Sequence, residues 1–99
     1  MSAKVFIIQT EYGYAVSPSP VVVPRKKGVL FFENLTNVPA TISGIPHVDP
    51  LDLARYGEPR SVQSVDLPVD TDRVILYKVK MKGGLLARGN SAPIIIRDA

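Results

Sequence analysis

Nine prolines are scattered through 99 residues, and they limit the fold more than any motif does. Proline lacks a backbone N–H and clashes with the preceding helical turn, so a chain interrupted this often has little room for long helices. Between the prolines lie short apolar runs rich in Val, Ile, Phe and Tyr, closed by Gly, Asn and Asp. That is the pattern of β-strands joined by tight turns. Eight strands are predicted, over residues 4–9, 12–16, 20–23, 28–33, 40–45, 61–67, 73–81 and 92–97, with turns at "SPSP", "PRKKG", "NLTN", "DTD" and "KGG". No repeat or linker divides them, so one domain spanning residues 1–99 is expected.

The run "RVILYKVKM" separates its two faces. Side chains alternate across a strand, so Ile75, Tyr77, Val79 and Met81 share one side and Val74, Leu76, Lys78 and Lys80 the other. The first side is apolar throughout and is expected to face the core. The second begins apolar and ends cationic, as a strand does when it emerges from cover into water. One short helix is predicted in "DPLDLARYG", with Asp49 as N-cap, Pro50 at the first helical position and Gly57 closing the end.

Composition removes several classes of chemistry. There is no cysteine, which excludes disulfides, thiolate metal sites and a cysteine nucleophile together. With 45% hydrophobic and 21% charged residues the chain has the composition of a folded globular domain. The apolar stretch near the N-terminus, Val5 to Ile8, is too short for a signal-peptide core or a membrane span. A chain without an export signal or a membrane anchor is therefore expected, its compartment otherwise unspecified.

Strands this numerous, with one helix in a crossing loop, suit a Greek-key sandwich better than a barrel. The stretch "VVVPRKKGVLFFENLTNVPATI" and the later "VILYKVKM", a glycine-bearing loop and "PIIIRD" resemble the cupredoxins, the plastocyanin and azurin family of blue-copper proteins. An immunoglobulin-like sandwich would give much the same pattern. The resemblance implies positions for copper ligands, and each can be inspected. The family's first histidine would fall at Ala40, its cysteine at Val79, and its second histidine and methionine in "KGGLLARGN", which contains neither. Met81 stands too close to Val79 to serve as axial ligand. Alanine and valine offer no lone pair to a metal. A copper-free, cofactor-free and non-catalytic member of that architecture is the expectation.

Other candidates are fewer. His47, the sole histidine, sits in "PHVDPLD" near Asp49 and Asp52. It would serve a metal enzyme or, paired with Ser43 or Ser61, a small hydrolase, but no nucleophile-elbow or triad spacing accompanies it. Arg25, Lys26 and Lys27 form a basic turn, and Lys78, Lys80 and Lys82 a basic strand end, with Arg88 beyond. If the two clusters share a side, they would track the phosphates of a nucleic acid or another polyanion. The net charge of +3 is modest for such a role. Leu85 and Leu86 cannot both face inward easily, so an exposed apolar spot is expected there. The expected function is interaction, either self-association or contact with another protein. Its surface is placed on loops 81–90 and 46–59, through Leu85, Leu86, Arg88, His47 and Tyr56.

Overall fold

The computed structural model describes residues 3–26, 28–88 and 92–98. Ten strands form: β1 (Ala3–Thr10), β2 (Gly13–Ser17), β3 (Val21–Pro24), β4 (Val29–Asn34), β5 (Ala40–Ser43), β6 (Leu51–Leu53), β7 (Val62–Asp66), β8 (Val74–Leu76), β9 (Lys78–Met81) and β10 (Ile94–Asp98). One sheet runs in the order β2-β1-β4-β7, with β1 antiparallel to β2 and parallel to β4. Two three-stranded sheets follow the orders β3-β10-β8 and β6-β5-β9. These two are joined through the backbone from β8 to β9, which gives its first half to β10 and its second half to β5. The architecture is all-β and sandwich-like.

Alternation sets the interior. Val5 and Ile7 of β1, Leu30 and Phe32 of β4, Ile42 of β5, Val79 and Met81 of β9, and Ile95 of β10 are all buried in one apolar cluster. Phe32 and Tyr77 meet edge to face, with ring centroids 5.7 Å apart. The inner side of "RVILYKVKM" is as expected, with Ile75, Tyr77, Val79 and Met81 all buried. Its two strands are separated at Tyr77, whose N–H turns to the carbonyl of Pro93.

The predicted helix over 49–57 does not form, and no helix occurs among the described residues. Leu51, Asp52 and Leu53 make β6 instead, paired antiparallel with Ile42, Thr41 and Ala40. The apolar spacing explains the outcome. Leu51 and Leu53 are two residues apart, so a strand places both inward, whereas a helix would point them about 200° apart. Asp52 faces outward and accepts a hydrogen bond of 2.9 Å from the Thr41 hydroxyl. A segment this short also cannot offset the cost of helix nucleation without packing on one face. Gly57 keeps the positive φ expected of it, but within a turn.

The turn after β4 is held by a buried side chain. Asn34 donates through Nδ2 to the carbonyls of Val38 and Ala54, at 2.7 and 3.1 Å. Its Oδ1 accepts from the backbone N–H and the hydroxyl of Thr36. "NLTN" is thus a structural turn whose polar groups satisfy one another.

Burial also fixes the ionisation of Tyr77. Its hydroxyl is buried without a hydrogen-bond partner among the described residues, and desolvation lifts its pKa well above the usual tyrosine range. The folded state therefore favours the neutral phenol. That contribution is intact below about pH 10 and is lost as pH rises past the unfolded-state value. A Tyr77→Phe variant should match or exceed the parent in stability at neutral pH, the difference being within about 1 kcal/mol. It should also lose less stability in urea unfolding between about pH 9 and 11. Identical alkaline losses in the two proteins would contradict this reading.

Candidate interaction surface

A strand covered on one side only should alternate apolar and polar residues, and three strands here do not. The runs "VVV" of β3, "III" of β10 and "VIL" of β8 are apolar on both faces. Val21, Val23, Ile75 and Ile95 supply the core. The alternate residues face outward in register. Ile96 lies between Val22 on β3 and Val74 on β8, and Ile94 pairs with Leu76. Val22, Val74 and Leu76 are 53%, 54% and 65% exposed, with Ile94 and Ile96 half-buried between the strands. Three strands about 4.8 Å apart thus carry two adjacent apolar rows to the surface.

The outward face of the first sheet is treated differently. There Phe6 and Phe31 are half-buried, and Lys4 lies 5.1 Å above the Phe6 ring while its Nζ sits 2.6 Å from Glu33. A charged pair and its aliphatic stem cover that side. Among the described residues nothing comparable covers the β3-β10-β8 face. Beyond Leu76 the same outward file turns cationic at Lys78 and Lys80, opposite Ser43 and Thr41 of β5.

The residues expected on the working surface are dispersed. Because Ala40 pairs with both Leu53 and Met81, the chain after β6 and the chain after β9 leave from one end of β5. Tyr56, anchored through its N–H to Thr36, and Leu85, whose carbonyl accepts from Met81, therefore share that end. Leu85 and Leu86 are both exposed. Leu86 bridges to Lys80 and belongs to the outward side of β9. His47 lies in the connection from β5 to β6, at the opposite end of β5, so loop 46–59 splits between two ends. Arg88 is exposed at the end of the 85–88 segment, and Gly89 and Asn90 of the predicted loop lie outside the described residues.

The two basic clusters are also separated. Arg25 and Lys26 follow β3, where the Arg25 N–H donates to Asp98 near the start of β8. Lys78 and Lys80 occupy the far half of the β8–β9 run, with Lys82 just past it. Eight residues of strand put about 23 Å between its ends. Lys27 lies outside the described residues. Arg25 is moreover committed, its Nη1 donating to the carbonyls of Val69 and Thr71 at 2.7 and 2.9 Å. Beside it Arg97 is 1% exposed, with Nε and Nη1 lacking partners and Nη2 weakly directed to the Arg25 carbonyl at 3.4 Å. Burial, then the neighbouring Arg25, lower its pKa. The guanidinium lies against Gly28, where a Cβ would come within 2.8 Å of Nη1 and Nη2. Arg25 ties the 69–71 turn to the end of β3, while Arg97 is enclosed against Gly28, so neither adds to a free basic patch.

At the positions the cupredoxin resemblance assigns to ligands, Ala40 and Val79 are buried in the core, and Met81 packs beside Ala40 in register. Among the described residues no group of three or more His, Asp or Glu side chains is placed to hold a metal ion. His47 is exposed, while Ser61 is buried at the start of β7 in the other sheet. A groove of about 680 Å³ runs beside Lys80, Lys82, Gly83 and Gly84, floored by Pro39 and Leu53. No protein-family model matches the chain, and a search of curated proteins finds no similar sequence.

The backbone gives His47 a structural role. It adopts a φ of 62°, a left-handed conformation that glycine takes without strain and histidine only at some cost. A His47→Gly variant should be as stable as the parent or up to about 1 kcal/mol more stable. Chemical denaturation tests this, and a loss of more than about 1 kcal/mol would show that the imidazole itself supports the fold.

Proposed function

We propose that the chain is a non-catalytic, copper-free sandwich of cupredoxin-like topology that works as a protein-interaction or self-associating module through the outer face of β3, β10 and β8. The cupredoxin part of this reading rests on the sequence resemblance, and the strand orders weigh only against the immunoglobulin-like alternative. In the constant-type immunoglobulin order the first strand sits at a sheet edge. Here β1 lies inside its sheet, parallel to β4. The apolar fill at Ala40 and Val79 supports the absence of a copper site, because neither side chain has a donor atom.

One observation carries the interaction reading: Val22, Val74 and Leu76 stand exposed in register around Ile94 and Ile96. Contiguous aliphatic surface in water is costly, and covering it is favourable by roughly 25 cal/mol per Å². Flat, β-branched faces of this kind complement another flat protein face. This surface replaces the loop pair as the proposed working site, with Leu86 and Arg88 at its margin.

A second reading has its own support. Lys78 and Lys80 stand about 6.6 Å apart along β9 with Lys82 on the turn just past it, and Lys80 and Lys82 line the groove beside Gly83 and Gly84. That spacing suits a polyanion. It depends on salt, because binding that fails to weaken between about 50 and 200 mM salt has no substantial phosphate component. The distance of Arg25 and Lys26 from this row leaves it a short patch of lysines, and the interaction reading is preferred.

The accessible apolar face should bind 1-anilinonaphthalene-8-sulfonate when the protein is dilute. Leu76→Lys should reduce that fluorescence several-fold while shifting the unfolding midpoint little, since an exposed side chain is being changed. An unchanged dye signal in the variant would remove this face from consideration.

A further inference from the structure

We propose that the partner of this face is a second copy of the chain, docked sheet to sheet about a twofold axis that lies between the two faces and runs across the strands. The inference rests on the reading of the β3-β10-β8 face as the working surface, and adds the identity of what covers it.

The argument comes from the order of charge along one file of residues. Asp70 and Asp72 are exposed on the turn leading into β8, with Thr71 buried between them. Val74 and Leu76 follow on the outward side, then Lys78 and Lys80. The file reads acidic, apolar, basic, and it is symmetric about Ile75. In sequence, residues 74 and 76, 72 and 78, and 70 and 80 are equally spaced about it, the first pair within β8, Lys78 and Lys80 on β9, and Asp70 and Asp72 on the turn before β8. A segment with that pattern complements itself when two copies run antiparallel.

The proposed axis produces this arrangement. Rotation about a line across the strands lays each strand over its own copy in the opposite direction. Val74 then meets Leu76 of the second copy, and Ile96 meets its Ile94. The acidic turn bearing Asp70 and Asp72 then comes over the Lys78 and Lys80 end of the second copy, Asp72 nearest Lys78, and the contact occurs twice by symmetry. An axis running along the file would instead stack lysine on lysine and aspartate on aspartate, which like-charge repulsion disfavours. Aligned sheets cross at about 30°, so the ion pairs sit at the rim while the aliphatic rows meet at the centre. Arg73 is also exposed at the acidic end, its carbonyl bonded to the Arg97 N–H, and it offsets part of the acidic charge there.

An anionic membrane is the competing occupant, since the face joins apolar rows to lysines. The face, however, presents only aliphatic side chains, without the tryptophan or tyrosine typical of an interfacial anchor. A lipid surface would also leave the acidic turn at Asp70 and Asp72 unpaired. The contact area is small: three strands and about four rows fall short of the 800 Å² per partner of a standard interface. The dimer is accordingly weak and concentration-dependent, and its assembly diminishes with salt.

Sedimentation equilibrium of the full chain tests this. Over about 10 µM to 1 mM at low salt, a range in which weak interfaces assemble, the average mass should rise from one chain toward two. Lys78→Asp and Asp72→Lys should each weaken association at least about tenfold by opposing like charges. Combined in one chain, they should restore it to within about threefold of the parent, because the pair is recreated with reversed polarity. A heterologous partner or a membrane would not be rescued in this way. Circular dichroism checks each fold. If Asp72→Lys does not fold, the exposed pair Asp70→Lys and Lys80→Asp supplies the same cycle. A double reversal no better than the singles overturns the proposal, as does a monomer that binds anionic phosphatidylserine vesicles without self-associating. A parent that stays monomeric throughout yet keeps its Leu76-dependent dye signal overturns the second copy alone. A monomer without that signal overturns the reading of the face as well.

Discussion

The strict alternation of side chains between Val74 and Met81 is the constraint from which the rest of the structure follows. Its inner residues, Ile75, Tyr77, Val79 and Met81, are part of the core cluster. Its two edges are shared, β10 pairing with the first half and β5 with the second. A slip of one residue would bring Lys78 and Lys80 into the interior and turn the core residues out, so the register is fixed by burial. The same alternation presents Val74, Leu76, Lys78 and Lys80 to solvent in a file. Core and surface are two readings of one periodicity.

The outward half of that periodicity carries the functional argument. The second layer is divided along its length: aliphatic where β3, β10 and β8 meet, and polar where β9, β5 and β6 meet. Thr41, Ser43 and Asp52 keep the polar half hydrated, with the Thr41 hydroxyl bonded to Asp52. The first sheet uses Lys4 and Glu33 to screen its phenylalanines. Among the described residues one apolar face is covered and another is left bare, the distribution that the proposed docking role calls for. The buried arginine makes a related point about cost. Arg97 is held in the interior with incomplete hydrogen bonding, beside a glycine whose missing Cβ makes room for it. Such a group adds little to stability.

Much of the fold was legible because strands announce themselves by period. The inner face of 73–81 was read correctly, and so were the strand-rich character and the turns at "NLTN" and "KGG". The helix expected over 49–57 gives way to β6 because apolar spacing outweighs the capping residues. Asp49, Pro50 and Gly57 do suit helix ends, yet Leu51 and Leu53 alternate with Asp52, and packing against β5 decided the matter. Tyr77 separates two strands that read as one, since a backbone N–H that turns to Pro93 leaves no mark in the residue pattern. The working face was less legible. Its signal was present in "VVV", "III" and "VIL", runs apolar on both sides, but such runs also describe strands buried on both faces. Only strand order reveals that Val22, Ile96 and Val74 fall in one row, which no described residue covers. Loop residues such as Tyr56 and His47 drew notice by type, and the topology sends them to different ends.

Leu76 faces water and Ile75 faces the core, which puts the apolar file on the surface of an isolated chain. The absence of cysteine allows a direct measurement. Single Leu76→Cys and Ile75→Cys variants, kept dilute, can be timed against a thiol reagent under native conditions. The thiol at position 76 should react at nearly the rate of the unfolded protein, and the one at 75 should be slowed by orders of magnitude. Protection at position 76 in the dilute chain, or equal rates at both positions, would contradict it.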